Sequence, residues 1–214
     1  MRPSRWRCST AKGEEGITPG VNADSTRDRI LDATVDMLRR HGPAKTGVVD
    51  VARALEMSHS NVYKHFASKS ALFDAVAERW LAQVMAPLSK ITADKKTPAP
   101  KRLKAWVRAL AEIKRKKVHD DPELFAVYGA IPANAHAVVA AHVTHLHDEV
   151  AEILRDGVRE GAWRVKDVGK AAGVILNATS RFHHPAMVQL DEGKSDLAEL
   201  DALVDVLIAG LAAH

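Results

Sequence analysis

Ser58-His59-Ser60-Asn61-Val62-Tyr63-Lys64-His65-Phe66-Ala67-Ser68-Lys69-Ser70 is the stretch on which the reading of this 214-residue chain turns. Ser58 and Ser68 are of the type that caps helix N-termini, so the segment predicts one short helix after Ser58 and another starting at Lys69. Val62 and Phe66 stand about one turn apart and predict the buried side. At about 100° per residue, Ser60 and Lys64 then point away from it, Asn61 and Tyr63 flank it, and His59 and His65 fall nearer the core. No acidic residue occurs between Met57 and Phe73. A short, polar, acid-free helix suits the groove of a nucleic acid.

Upstream, a helix is expected from about Thr26 to His41, with Ile30, Thr34, Met37, Leu38 and His41 on one stripe and Gly42-Pro43 as its stop. Thr46 is the expected cap of a second helix, whose Val48, Val51, Ala52 and Leu55 share a face. This helix and the one after Ser58 form a helix-turn-helix. Lysine and asparagine on the exposed face can pair with base edges. The DNA-contacting set expected from the sequence is Lys45, Thr46, Ser58, His59, Ser60, Asn61, Tyr63, Lys64 and Lys69. Within it Ser58, Tyr63 and Lys69 suit phosphates, and the free amides at the two helix starts add to Lys45, Thr46 and Lys69.

Charge follows the same division. Residues 1–90 hold 14 Lys/Arg against 10 Asp/Glu, whereas residues 91–214 hold 17 of each, so the positive excess lies where a polyanion would bind. Residues 1–24, with Pro3, Gly13, Gly16, Pro19 and Gly20, read as a disordered basic tail. It is either a floppy end or an arm that touches DNA through Arg2, Arg5, Arg7 and Lys12. One cysteine, Cys8, fits a reducing cytoplasm. No apolar run approaches the ~20 residues of a membrane span, and the basic N-terminus lacks the apolar stretch of a secretory signal.

The remainder reads as helices over about 98–118, from Pro122 to Ile131-Pro132, over about 135–160, from Asp167 to His183-His184-Pro185, and over about 195–213. No convincing strand pattern appears. The expectation is an all-α chain: the tail (1–24), a three-helix helix-turn-helix DNA-binding domain (25–70) and a helical ligand-binding and dimerisation domain (71–214). Candidate pocket residues are Trp106, Phe125, Tyr128 and Phe182, with His136 and His142 as polar members; plain core packing is the alternative for the aromatics. Trp80, Trp163 and Met187 are further candidates. Lys114-Arg115-Lys116-Lys117 reads as a solvated helix end. His142, His145 and Glu149 fall on one helical face, which raises a metal-responsive alternative, although no H-E-x-x-H or C-x-x-C motif is present. Leu197, Leu200, Leu203, Val204, Leu207, Ile208 and Leu211, with small residues Ala171, Ala172, Gly173 and Ala178 on the preceding helix, suit an isologous dimer interface or burial within the monomer.

Thr46-Gly-Val-Val-Asp-Val-Ala52, Met57-Ser58, Asn61-Val-Tyr-Lys-His-Phe66, Ser68-Lys69 and Leu72-Phe73 together closely resemble the N-terminal signature of tetracycline-repressor (TetR) family regulators, over about residues 26–73. The resemblance implies a homodimeric repressor of double-stranded DNA. Its C-terminal helices would hold a small-molecule inducer, and its last two would form a four-helix interface. It also implies phosphate contacts for Tyr63 and Lys69 and base contacts around Ser60, Asn61 and Lys64. No catalytic residue, metal or cofactor is expected. A helical enzyme or carrier is the remaining alternative, and no P-loop, nucleophile elbow or paired-carboxylate motif supports it. One departure stands out: the family often has glycine where this chain has Glu56. If that position needs positive φ, glutamate costs on the order of 1 kcal/mol.

Overall fold

The computed structural model describes residues 23–122, 125, 136–192 and 194–212, with backbone alone at 23, 24 and 136. Residues 1–22 of the expected tail, Tyr128 and the helix end expected at Ile131-Pro132 lie outside the described residues. Within them there are nine α-helices and no strand: α1 (Ala23–His41), α2 (Val48–Ala54), α3 (His59–His65), α4 (Lys69–Ala93), α5 (Ala99–Asp120), α6 (His136–Arg159), α7 (Val168–Ala178), α8 (Pro185–Leu190) and α9 (Leu197–Ala212). A short 3₁₀ turn, Ser180–Phe182, links α7 to α8.

The apolar stripe of α1 is buried at Ile30, Leu31, Thr34 and Leu38, and Thr34 Oγ1 donates to Ile30 O (2.7 Å). His41, expected on that stripe, is exposed. It is the last residue of the helix, and Gly42 (φ 71°) swings the chain away behind it. α1 packs on α2 and α4, and α2 packs on α3. The start of α2 corrects one expectation. Gly47, not Thr46, is its N-cap, and its amide donates to Asp50 Oδ2 (3.1 Å). Thr46 is buried and its hydroxyl donates to Gly42 O (2.8 Å).

Glu56, between α2 and α3, does adopt the left-handed region (φ 54°). The Met57 amide donates there to Ala52 O (3.0 Å) and the Glu56 amide to Arg53 O (3.1 Å), so the turn closes the end of α2 despite its side chain.

The C-terminal helices pack around a buried polar network. Arg102, 1% exposed, donates to Asp156 Oδ2 (2.8 Å), Thr92 O (3.0 Å) and Thr97 O (2.9 Å). Burial pushes the Asp156 carboxyl up, but hydrogen bonds from Lys95, Arg102 and Arg159 outweigh it and hold the pKa at about 2. Beside them Glu149 accepts from Trp106 Nε1 (2.8 Å), Thr92 Oγ1 (3.3 Å) and Ser89 Oγ. These bonds fasten α4, α5 and α6 together. Gly157 lets Trp163 close the end of α6: a Cβ there would stand 2.1 Å from the indole, whose Nε1 donates to Leu154 O (2.9 Å).

The helix expected to run from Asp167 to His183 ends instead at Ala178. Thr179 Oγ1 donates back to Ile175 O (2.8 Å), and His183 Nε2 donates to Leu176 O (3.2 Å), taking an acceptor that a continuing helix would use.

Two outcomes are expected from these contacts. Asp156→Asn leaves the Arg102 guanidinium buried beside a neutral group and should lose about 3 kcal/mol at pH 7 in urea denaturation. Because the Asp156 pKa is lowered on folding, its contribution is present above about pH 4 and disappears as pH falls towards 2, so the gap between wild type and variant should close in acid. Glu56→Gly should gain about 1 kcal/mol by relieving the left-handed backbone, seen as a higher urea midpoint at unchanged slope.

Candidate DNA interface and ligand cavity

α3 has only seven residues, too few to hold a helix alone. Its neighbours supply what its length does not. Ser58 caps it, Oγ accepting from the Asn61 amide (3.3 Å), and Val62 and Phe66 are buried beneath it. Arg27 of α1 lies 5.1 Å over the Phe66 ring. The opposite face is open. Ser58, His59, Ser60 and Lys64 are exposed, and Tyr63 is 50% exposed. Asn61 is half-buried and its Nδ2 reaches Met57 Sδ (3.9 Å). His59 therefore joins the outward set, whereas His65 is half-buried.

Lys45 is exposed beside the start of α2. Burial of Thr46 removes its side chain from the surface that was expected to meet phosphates. Lys69 is exposed, but its ammonium donates to Pro43 O (2.9 Å) and sits 5.1 Å over the Phe73 ring. It ties the start of α4 to the α1–α2 turn and keeps two N–H bonds for another acceptor. Ser68 caps α4 as expected, accepting from the Ala71 amide (3.0 Å).

A cavity of about 690 Å³ opens among α4, α5, α6, α7 and α8. Trp80, Leu81, Phe125, Val143, Leu146 and Leu176 form its apolar walls, with Trp80 and Phe125 edge to face at 6.1 Å between centroids. Its polar members include Lys114, His142 and His183, and among the described residues no Asp or Glu lines it. Lys114 is 3% exposed, and its Nζ lies 5.2 Å over the Trp80 ring. Burial, with the charge of Lys117, pushes the Lys114 ammonium down to about 8. Burial likewise pushes His142 and His183 down to about 4, so both rings are neutral near pH 7. Both ring nitrogens of His142 are buried with no hydrogen-bond partner among the described residues.

A second, charged groove of about 800 Å³ lies between α1, α4 and α5. It is crossed by ion pairs, Arg39 to Asp121 (2.5 Å) and Arg79 to Asp32 (2.8 Å). Its carboxylates and guanidiniums are already paired, and the apolar cavity is the better site for an organic ligand.

Of the pocket residues expected from the sequence, Trp80, Phe125 and His142 line the cavity. Trp106 does not: it is fully buried in the core with its indole N–H on Glu149. Phe182 is buried away from the lining, with Arg181 5.7 Å over its ring. Trp163 serves the α6 end, and Met187 is exposed. The side chain of His136 lies outside the described residues. Among the described residues no group of three His, Cys, Asp or Glu side chains is placed to hold a metal ion, and the Glu149 carboxylate faces Trp106 and Thr92.

Sequence reasoning missed Lys114 and His183. Lys114 was assigned to a solvated basic run, yet Leu103, Trp106, Val107 and Leu110 continue at helical spacing to position 114, and that register is the signal that places it inside. His183 was hidden by the helix break at Ala178.

The outer helices present apolar surface as well. On α9 Leu200 and Val204 are buried, and the helix packs on α5. Its other side shows Val206 at 69% exposure, with Ala202 and Ala209 exposed and Leu203 and Leu207 half-buried. Val174 of α7 is also exposed. No helix among the described residues is long and apolar enough to cross a membrane.

Residues 30–76 match the family described as bacterial regulatory proteins, tetR family, and residues 99–204 match the tetracyclin repressor-like C-terminal domain. Similar solved structures include a protein of Pseudomonas aeruginosa PAO1 assigned as a transcriptional regulator (18% identity, 90% of this chain and 92% of that one, TM-score 0.70). The complex of SmeT with triclosan is 20% identical over 88% of this chain and 92% of that one (TM-score 0.66). FadR from Bacillus subtilis in complex with stearoyl-CoA is 16% identical over 87% and 99% (TM-score 0.64). A sequence search of curated proteins finds no match. At these identities the structural likeness establishes the fold, and the two family matches, covering the helix-turn-helix and the helices behind it, establish the lineage: the chain belongs to the tetR family of bacterial regulatory proteins and is a DNA-binding transcriptional regulator.

Proposed function

We propose that two copies of this chain form a repressor that binds a palindromic operator and is released by a small-molecule inducer held in the α4–α8 cavity. One observation supports it most: α3 turns Ser60, Tyr63 and Lys64 outward over buried Val62 and Phe66. Lys64 and Ser60 read base edges, with Asn61 beside them, while Ser58, Tyr63 and Lys45 hold phosphates. Lys69 adds a phosphate contact with the N–H bonds left free by Pro43 O. Exposed apolar surface on α7 and α9 supports the dimer, since an isologous pairing there would cover Val174 and Val206 on both copies. Two reading helices related by a two-fold axis then meet successive major grooves. The chain acts by binding rather than catalysis, in the cytoplasm where its DNA is.

The release route follows from the packing. Trp80 and Phe125 are cavity walls. The Phe125 amide donates to Asp121 O (2.9 Å), and the Asp121 carboxylate holds Arg39 at the end of α1. A ligand that moves Phe125 therefore pulls on α1, whose Arg27 lies over the Phe66 ring under the reading helix, and it shifts the population of operator-competent spacings.

Two measurements by fluorescence anisotropy on a labelled operator duplex test this reading. Lys64→Ala should weaken binding by about 1–3 kcal/mol and relax preference at one or two bases, and Lys45→Ala should weaken all sequences alike and reduce the salt slope by about one. Equal affinity of wild type and both variants would contradict the interface. Asp121→Asn, far from α3, should weaken operator binding by about 1 kcal/mol through loss of the Arg39 link, and unchanged affinity would remove that link from the route.

A further inference from the structure

The cavity contains a cation without a counter-charge. Lys114 is almost wholly buried, and among the described residues no carboxylate pairs with it. The ring of Trp80 offsets part of the desolvation through a cation–π contact, but Lys117 sits over the same ring at 4.7 Å and adds like charge. A buried ammonium without an anion is a costly arrangement in a structural core. In a ligand cavity it becomes a preset half of an ion pair, charge-assisted and shielded from water.

The nearest polar equipment matches. His142 has two buried ring nitrogens with no partner among the described residues. Its neutral ring offers one N–H donor. Lys114, His142 and His183 all line the cavity, and the Lys114 charge contributes to the low pKa of both rings. Among the described residues the rest of the lining carries no carboxylate and is apolar apart from Asn177, Ser180, His184 and Gln189. One cation and neutral imidazoles suit a single negative charge. A phosphate ester would need further cations.

We propose that the cavity takes a carboxylate-bearing amphiphile, its head group paired with Lys114 Nζ and hydrogen-bonded by His142, its apolar body lying between Trp80 and Phe125 on one side and Val143 and Leu146 on the other. This rests on the reading of the cavity as the effector site. The occupant supplies the missing counter-charge, and the chain length or ring system is set by the apolar walls.

Isothermal titration of the full chain with decanoate, decanol and decyltrimethylammonium tests it. Decanoate should bind about tenfold or more tightly than decanol, and the ammonium should bind more weakly than either. Lys114→Met should bring decanoate down to the level of decanol while keeping decanol affinity. Lys114→Arg should keep the preference, and His142→Phe should reduce it severalfold without loss of decanol binding; these two variants carry the test if Lys114→Met fails to fold by circular dichroism. Equal binding of decanoate and decanol by wild type, binding of neither, or a preference that survives loss of the charge would overturn the proposal. Operator anisotropy with and without decanoate is read separately. A Lys114-dependent preference with no change in DNA affinity would leave the site standing and remove its role as effector site.

Discussion

Burial of Val62 and Phe66 under α3 is the constraint on which the rest depends. A seven-residue helix does not persist in water, and its direction is set only by what lies beneath it. Two apolar side chains one turn apart, placed into the α1–α2–α4 packing, fix both existence and rotation of the helix. Ser58 caps its start, Ser68 caps the start of α4 behind it, and Lys69 binds α4 to the α1–α2 turn. Ser60, Tyr63 and Lys64 are outward because Val62 and Phe66 are inward.

The second half uses the opposite device. Where α3 is positioned by apolar anchors, α4, α5 and α6 are fastened by buried polar groups: Arg102 with Asp156, and Glu149 with Trp106. Such networks hold geometry closely when every member is satisfied. They lie at the end of the bundle away from Lys114 and His142, where polar groups are left unsatisfied. Rigidity at one end and unmet hydrogen-bonding capacity at the other are what a preorganised binding cavity needs. Trp80 lines both that cavity and the groove crossed by the Arg39–Asp121 pair, and the Phe125 amide donates to Asp121 O.

The reading helix was readable in the sequence because its determinants are local: caps, a one-turn apolar spacing and an acid-free window all fall within thirteen residues. The strain at Glu56 was readable only through the family resemblance, which puts glycine at that turn position, and the left-handed backbone there (φ 54°) is the demand it implied. The cavity was not. Trp106 and Phe125 look alike as residues, and only tertiary packing sends one to Glu149 and the other to the cavity wall. Lys114 was obscured by its neighbours, since Arg115, Lys116 and Lys117 are more exposed and give the run the look of a solvated end. The break at Ala178 depends on side chains of Thr179 and His183 competing for carbonyls, which no periodicity reveals.

The most direct measurement of the central claim is selection of duplexes from a random pool by the full chain, followed by sequencing of the retained fragments. The account predicts an inverted repeat, with half-site centres about one helical turn of DNA or a multiple of it apart. Fragments with no shared sequence, or retention unchanged when Val62 and Phe66 are both replaced by alanine, would contradict it.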